Sequence, residues 1–204
     1  SMNPEINLGK MAKPFQKPYP EIVCTALAPY SSGLVKAAKR GWSPVSSNFL
    51  QPKFVASHWE KYLEGCKEVN RASDWRKWRV ARMVCVAEDH STAMEYGKSK
   101  DGPYGKCMDA ILYKLKCAGK LSTMKESLDQ SDDDITLDYC MDRLVIAGTC
   151  ESVTEQILSF REQSGPFGSL LYVGVDWQNP DLSRKSMILM AEEVMPAVNR
   201  LIES

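Results

Sequence analysis

The stretch EIVCTALAPYSSGLVKAAKRG, residues 21–41, contains a complete strand–turn–helix unit, and this unit decides the fold class. Residues 21–27 form a short apolar run, which is typical of a strand that is buried on both faces. Residues 28–32 then supply a proline and hydroxyl side chains, which favour the start of a helix. The helix predicted over residues 34–40 ends in a cationic last turn followed by Gly41. This stretch therefore predicts one β/α unit.

The same alternation of strand and helix recurs along the rest of the chain. Further apolar segments predict strands at residues 42–49, 78–86, 144–148 and 169–175. Helical spacing of apolar residues predicts helices at residues 51–68, 91–98, 106–118, 150–162 and 182–202. Alternation of this kind predicts a parallel sheet covered by helices, the α/β class. Because parallel strands need right-handed crossovers, two architectures remain open, a doubly wound sheet and a (β/α) barrel.

Two segments carry more specific expectations. Residues 119–134 are polar and end in a run of aspartates, so we expect an excursion over the surface. The last helix is predicted to bury one apolar stripe. The stripe consists of Met187, Met190, Val194, Met195, Val198, Leu201 and Ile202.

Composition and charge exclude several classes of protein. The 204 residues carry 26 Lys and Arg against 26 Asp and Glu, and this zero net charge argues against a dedicated nucleic-acid binder. No apolar run approaches about 18 residues, so no membrane span is expected. Seven cysteines without a CxxC pair indicate reduced thiols in a cytoplasmic protein, and no metal site is predicted. Residues 1–20 are interpreted as a tag remnant and an irregular proline-rich arm, and residues 21–204 as the folded part.

An ordered series of short motifs resembles the bacterial-luciferase-like family of flavin-dependent monooxygenases. The motifs lie at residues 25–33, 37–42, 46–50, 58–62, 78–82, 144–149, 165–172, 176–177 and 187–198. Each motif alone is weak, but the set occurs in the order typical of the family. The resemblance covers about residues 5–202, which is nearly the whole chain.

The resemblance implies a TIM-barrel fold of which only part is present. A (β/α)8 barrel needs about 250 residues and eight strands, whereas four or five strands are predicted here. The chain is therefore expected to carry about the C-terminal four β/α units, and the family's first strands have no counterpart. We expect the missing half to come from a longer reading frame, another chain or a second copy. No catalytic residue is assigned, because the family's N-terminal half supplies residues used in catalysis.

The turn between the first strand and its helix is the strongest candidate site. Strand carboxyl ends form the active-site face of a barrel, and a helix N-terminus offers free N–H groups to an anion. Hydroxyl groups and a glycine in this turn suit a phosphate, although ordinary helix capping uses the same residues. The resemblance implies that the phosphate of FMN is held here, by Ala28, Pro29, Tyr30, Ser31, Ser32 and Gly33.

Other candidates follow the later strands. Ser47 and Asn48 end the second strand, where the resemblance places them along the flavin; a loop cap is the alternative. Asp176 and Trp177 follow the last strand and could border a substrate pocket or only pack. Arg82 lies in an apolar strand, where it needs an ion-pair partner or an anion in the flavin or substrate pocket.

One histidine falls on an apolar helix stripe. His58 shares this stripe with the apolar residues of the helix over residues 51–68. A buried histidine with satisfied hydrogen bonds is favoured there over a general base.

The function implied by the resemblance is enzymatic. A member of this family oxygenates a small organic substrate with O2 and reduced FMN, which a separate reductase supplies. A second hypothesis is a non-catalytic half-barrel that self-associates, for example as a dimer, because open sheet edges favour pairing. A third is an unrelated phosphate-binding α/β protein. Neither a nucleic acid nor a membrane is expected as a partner.

Overall fold

Five parallel strands form one sheet in the computed structural model, which describes residues 14–175 and 178–203. The strands are β1 (Val23–Ala26), β2 (Ser43–Ser46), β3 (Arg79–Val86), β4 (Val145–Gly148) and β5 (Ser169–Val173). All five strand predictions are therefore confirmed. Their β-branched and aliphatic side chains suit strands that are buried between layers.

Helices follow the strands as the alternation predicts. They are α1 (Gly33–Arg40), α2 (Pro52–Glu68), α3 (His90–Gly97), α4 (Pro103–Cys117), α5 (Leu137–Leu144), α6 (Cys150–Ser164), α7 (Pro180–Leu189) and α8 (Met195–Glu203). A π-helical turn over Met190–Val194 joins the last two. The start of α6 shows the expected chemistry, because the Thr149 hydroxyl accepts a hydrogen bond from the Ser152 N–H.

The register of β3 reveals the lateral order of the strands. Residues 79–80 of β3 pair with β2, residues 83–86 pair with β4, and residues 79–83 pair with β5. One edge of a strand accepts one neighbour at each residue, so β2 and β4 share an edge and β5 occupies the other. The order β1, β2, β3, β5 thus follows the chain in one direction, as in a barrel, with β4 inserted beyond the end of β2.

The two faces of the sheet differ in what covers them. We call the face that carries Ala26, Ser46, Val80, Arg82 and Val84 the covered face, because helices α1, α2, α6, α7 and α8 pack on it. On the opposite side of the sheet, we call the region that carries Val23, Thr25, Ser169 and Leu171 the open face. Val23 is 40% exposed and Leu171 38% exposed, and no described helix covers them.

Two predictions of burial hold only in part. Residues 119–134 run mostly over the surface, as predicted, but Leu121 and Met124 are buried against α4 and the unpredicted helix α5. Short 3-10 turns separated by polar residues carry too little periodicity to reveal this.

In the last helix, only part of the predicted stripe is buried. Met190, Val194 and Val198 are buried, whereas Met187, Leu201 and Ile202 are exposed. The π-helical turn shifts the helical phase, so a stripe read at a constant 3.6-residue spacing does not stay on one face.

The N-terminal arm is described only in part. Residues 14–20 are exposed and contain neither helix nor strand. The rest of the predicted arm lies outside the described residues.

Candidate functional site

The turn after β1 lies at the carboxyl end of the sheet and leads directly into α1. Ser32 occupies the N-cap position, but its side chain makes no capping hydrogen bond. The Ser31 carbonyl accepts the Leu34 N–H at 3.1 Å, and the first turn of α1 contains no acidic residue. The positive end of this helix therefore has no compensating carboxylate of its own. Free hydroxyls and an uncompensated helix N-terminus can bind an anion such as a phosphate.

Ser47 lies beside this turn, at the carboxyl end of β2. Its N–H donates to the Ala26 carbonyl at 3.1 Å, so the structure brings the ends of β1 and β2 together. The Ser47 hydroxyl is buried and has no hydrogen-bond partner among the described residues. A buried hydroxyl without a partner is costly, and a polar atom of a ligand would satisfy it. Asn48 follows, partly buried.

Helix α2 supports the turn from the covered face. The Tyr30 N–H donates to Ser57 Oγ at 3.0 Å, and His58 Nε2 lies 2.8 Å from the Ala28 carbonyl oxygen. His58 is fully buried, and its other ring nitrogen lies 2.9 Å from Ser46 Oγ. The prediction of a satisfied core histidine is confirmed. Its link to the turn was missed, because it joins residues 30 positions apart and no local pattern reports such a contact.

Arg82 takes a structural position instead of the predicted place in a flavin or substrate pocket. Its guanidinium donates to the carbonyls of Asn48 at 3.1 Å and Leu50 at 2.5 Å, and it stacks 4.1 Å from the ring of Phe160. Burial lowers the pKa of Arg82 to about 9. Among the described residues no carboxylate pairs with it. The side chain lies on the covered face, where its hydrogen bonds fix the loop after β2, and it does not reach the open face.

The last predicted pair, Asp176 and Trp177, lies outside the described residues. The next two residues, Gln178 and Asn179, line a cavity of about 600 Å³ beside the carboxyl ends of β3 and β5. Tyr96 also lines it, and its hydroxyl donates to the Val175 carbonyl at 3.1 Å. This cavity has the size of a site for a small organic molecule.

The described part of the chain presents neither a cluster of metal ligands nor a membrane-spanning helix. In residues 14–175 and 178–203, no group of three or more His, Cys, Asp or Glu side chains is placed to hold a metal ion. None of the helices described above is long and apolar enough to cross a membrane.

Comparisons with known proteins point to one group of enzymes. The chain is 26% identical over 181 residues to 3,6-diketocamphane 1,6-monooxygenase of Pseudomonas putida, covering 88% of this chain and 47% of that protein. It is also 26% identical over 182 residues to a 2,5-diketocamphane 1,2-monooxygenase of the same organism, covering 87% and 49%. The chain thus spans about half the length of the curated relatives that it matches. No protein-family model matches it.

A solved structure agrees with these relatives. The oxygenating constituent of 3,6-diketocamphane monooxygenase from Pseudomonas putida, a type II Baeyer-Villiger monooxygenase in complex with FMN, superposes with a TM-score of 0.77 and 25% identity. The superposition covers 88% of this chain and 49% of that one. The resemblance and the barrel-type fold predicted from the sequence are confirmed. In sequence and in fold, the chain is a homologue of the luciferase-like, FMN-dependent monooxygenases, matched over about half of their length.

Proposed function

We propose that this chain is part of an FMN-dependent monooxygenase that oxygenates a small organic substrate. O2 is the co-substrate, and a separate reductase supplies the reduced FMN. The observation that carries this proposal is the superposition on an FMN-bound oxygenating subunit over 88% of the chain. A non-catalytic role is not favoured, because the matched relatives are named monooxygenases.

Under this proposal, the turn over residues 28–33 binds the phosphate of FMN. Its anionic oxygens would accept hydrogen bonds from the Ser31 and Ser32 hydroxyls and from the free N–H groups at the start of α1. Gly33 leaves room for a close approach, since a Cβ there would have only Ser31 Oγ nearby, at 3.5 Å.

The rest of the flavin would extend from the turn along the end of β2. The unpartnered Ser47 hydroxyl supports this direction, because a polar atom of the flavin would satisfy it. Asn48 would lie along the same path. When bound, the flavin supplies the redox chemistry, and the residues of this chain bind it and orient it.

A second half completes the barrel in this proposal. The outer edges of β1 and β5 pair with no other described strand, and the open face exposes Val23 and Leu171. Either the missing barrel half or a second copy of this chain, forming a dimer, would cover these edges and exclude water from the flavin.

The cysteines support a reducing, cytoplasmic environment as part of the proposal. Cys66, Cys85 and Cys140 are buried, and none of the cysteines of the described residues forms a disulfide. Burial raises the pKa of the Cys85 thiol to about 11, so this side chain is an unreactive packing group.

Flavin binding tests the proposal directly. We would measure the Kd of the chain for FMN and for riboflavin, which lacks the phosphate, by quenching of flavin fluorescence. We expect tighter binding of FMN, and about a tenfold loss of that affinity on replacing Ser31 and Ser32 together by alanine. Ser122→Ala, at an exposed serine remote in sequence, is the matched control. Equal affinity for FMN and riboflavin would contradict a phosphate site in the turn.

Assembly and activity are tested next. Light scattering with and without FMN would report whether a second copy completes the barrel. Activity would be measured with a flavin reductase, NADH, FMN, O2 and a bicyclic diketone of the kind that names the relatives, with an oxygenated product detected by mass spectrometry. A flavin-loaded assembly that forms no oxygenated product would support the non-catalytic alternative.

A further inference from the structure

A chain of three hydrogen bonds, of which the first two are buried and the third is partly buried, ends at the backbone of the turn over residues 28–33. Trp78 Nε1 lies 3.0 Å from Ser46 Oγ, and Ser46 Oγ lies 2.9 Å from His58 Nδ1. His58 Nε2 lies 2.8 Å from the Ala28 carbonyl oxygen. The side chains of Trp78, Ser46 and His58 are all fully buried. The chain therefore links the start of β3, the end of β2 and helix α2 to the turn.

The chemistry of the end groups fixes the direction of every bond. An indole N–H only donates and a carbonyl only accepts, so Ser46 Oγ accepts from Trp78, and His58 Nε2 carries a proton donated to Ala28. Ser46 has one hydroxyl proton left, and His58 Nδ1 is positioned to accept it. Each donor then has one acceptor when the ring is neutral with its proton on Nε2. A protonated ring would place two donors on Ser46 Oγ and leave the serine's own proton without an acceptor.

A second contact of α2 fixes the turn two residues further on. The Tyr30 N–H donates to Ser57 Oγ at 3.0 Å, and this hydroxyl donates to the Phe54 carbonyl at 2.7 Å. Tyr30 has φ of 52°, a left-handed conformation that is costly for a residue with a side chain. Bonds on both sides of Pro29 compensate for this cost. They also turn the Ala28 carbonyl, an electronegative group, toward α2.

We infer that His58 is a positioning residue, which holds the turn in the conformation that binds the flavin phosphate. This inference rests on the proposed function. His58 does not touch the ligand. It fixes the Ala28 carbonyl on the α2 side, so that the N–H groups and hydroxyls of residues 31–33 remain the groups presented to the anion. Without it, the turn samples other conformations, and the fraction competent to bind phosphate falls.

Two variants of His58 and a matched control test the inference. His58→Phe keeps an aromatic ring but removes both hydrogen bonds, and we expect it to weaken FMN binding about tenfold while leaving riboflavin binding unchanged. His58→Gln can still donate to Ala28 and accept from Ser46, so it should restore part of the FMN affinity. The chain has two histidines, and the exposed His90→Phe is the control. A merely structural role would weaken both ligands equally or neither.

The wild-type chain gives an independent readout that needs no variant to fold. Long-range ¹H–¹⁵N NMR at pH 7 should show His58 as the neutral Nε2–H tautomer, with and without FMN. An Nδ1–H or doubly protonated ring would overturn the inference. Unchanged FMN affinity in His58→Phe would also overturn it and leave the proposed function intact. Failure of the wild-type chain to prefer FMN over riboflavin would instead overturn the phosphate site and the inference with it.

Discussion

Two arginines of one strand, Arg79 and Arg82, show how differently the two faces of the sheet are built. Arg79 lies on the open face and makes a partly exposed ion pair with Glu21 at 3.1 Å. Arg82 lies three residues later on the covered face, fully buried, and donates to two backbone carbonyls. An arginine side chain thus forms a partly exposed ion pair on one face and a buried set of hydrogen bonds to the backbone on the other.

The difference indicates which face of the sheet is buried and hydrogen-bonded by the chain's own residues. On the covered face, its own helices bury the sheet and its own carbonyls satisfy the charge of Arg82. On the open face, Val23 and Leu171 remain in contact with solvent, and under the proposed function a second half would cover them. Changes on the covered face should therefore act on the stability of this chain alone, and changes on the open face should act mainly on assembly.

Arg82→Ala is expected to have the largest effect on stability. It leaves the Asn48 and Leu50 carbonyls without their donor and opens a cavity beside Phe160, so we expect a loss of about 3 kcal/mol of unfolding free energy. Urea unfolding of this variant beside Arg79→Ala, expected to cost less than about 1 kcal/mol, measures the contrast. Equal losses in the two variants would mean that the two faces do not differ in their contribution to stability.

Leu170 and Leu171 offer the same contrast without charge. They are consecutive in β5, and Leu170 packs against two buried clusters of the covered face, whereas Leu171 is exposed on the open face. Leu170→Ala should cost about 2 kcal/mol and Leu171→Ala less than about 1 kcal/mol. Thermal unfolding monitored by circular dichroism measures both. A larger loss in Leu171→Ala would mean that a second copy already covers the open face in solution, and its dependence on protein concentration would show this.

The buried ring of His58, on the covered side, should reduce stability only at low pH. Burial lowers the pKa of His58 below its usual 6.5, so the ring should remain neutral as the pH falls through 6.5. Because the pKa of His58 is lower in the folded state than in the unfolded state, the neutral ring contributes to the free energy of unfolding. This contribution is fully present above pH 6.5 and is lost as the pH falls through the folded pKa. NMR titration of the ring provides the measurement, and a pKa at or above 6.5 would contradict the buried, neutral assignment.

The ion pair of the open face should have the smallest effect. Hydrogen bonds from Arg79 and then Ser43 lower the pKa of Glu21 below its usual 4.5. The stabilisation is therefore present above pH 4.5 and is lost as the pH falls through the lower folded pKa. Glu21→Gln should cost less than about 1 kcal/mol at pH 7, and high salt should reduce that cost. Thermal unfolding at low and high salt tests this; a cost that is unchanged by salt would mean that the pair is not solvated.

Much of the fold and the candidate turn could be predicted locally. Strand–helix alternation, the stripe of α2 and the Pro–Ser–Gly chemistry of the turn are each encoded within a few consecutive residues, where backbone propensity and side-chain period act. The roles of Ser31 and Ser32 as ligands remain predictions that flavin binding must test.

Other features depended on contacts that no window of sequence contains. The sequence could not show on which face of the sheet Arg82 lies. Strand β3 is buried on both sides near this residue, so it lacks the alternation of apolar and polar residues that distinguishes one face from the other. The π-helical turn in the last helix was equally hidden, since packing against the sheet sets its phase.

The order of strands and helices, the candidate phosphate turn and the family resemblance are all readable from the amino-acid sequence, because each depends on residues close together in the chain. The hydrogen bond from His58 to the turn and the place of Arg82 behind the loop after β2 became visible in the folded chain alone, as did the exposure of Val23 and Leu171. The two hydrogen-bonded contacts join residues 30 or more positions apart, and they exist only once the sheet has assembled.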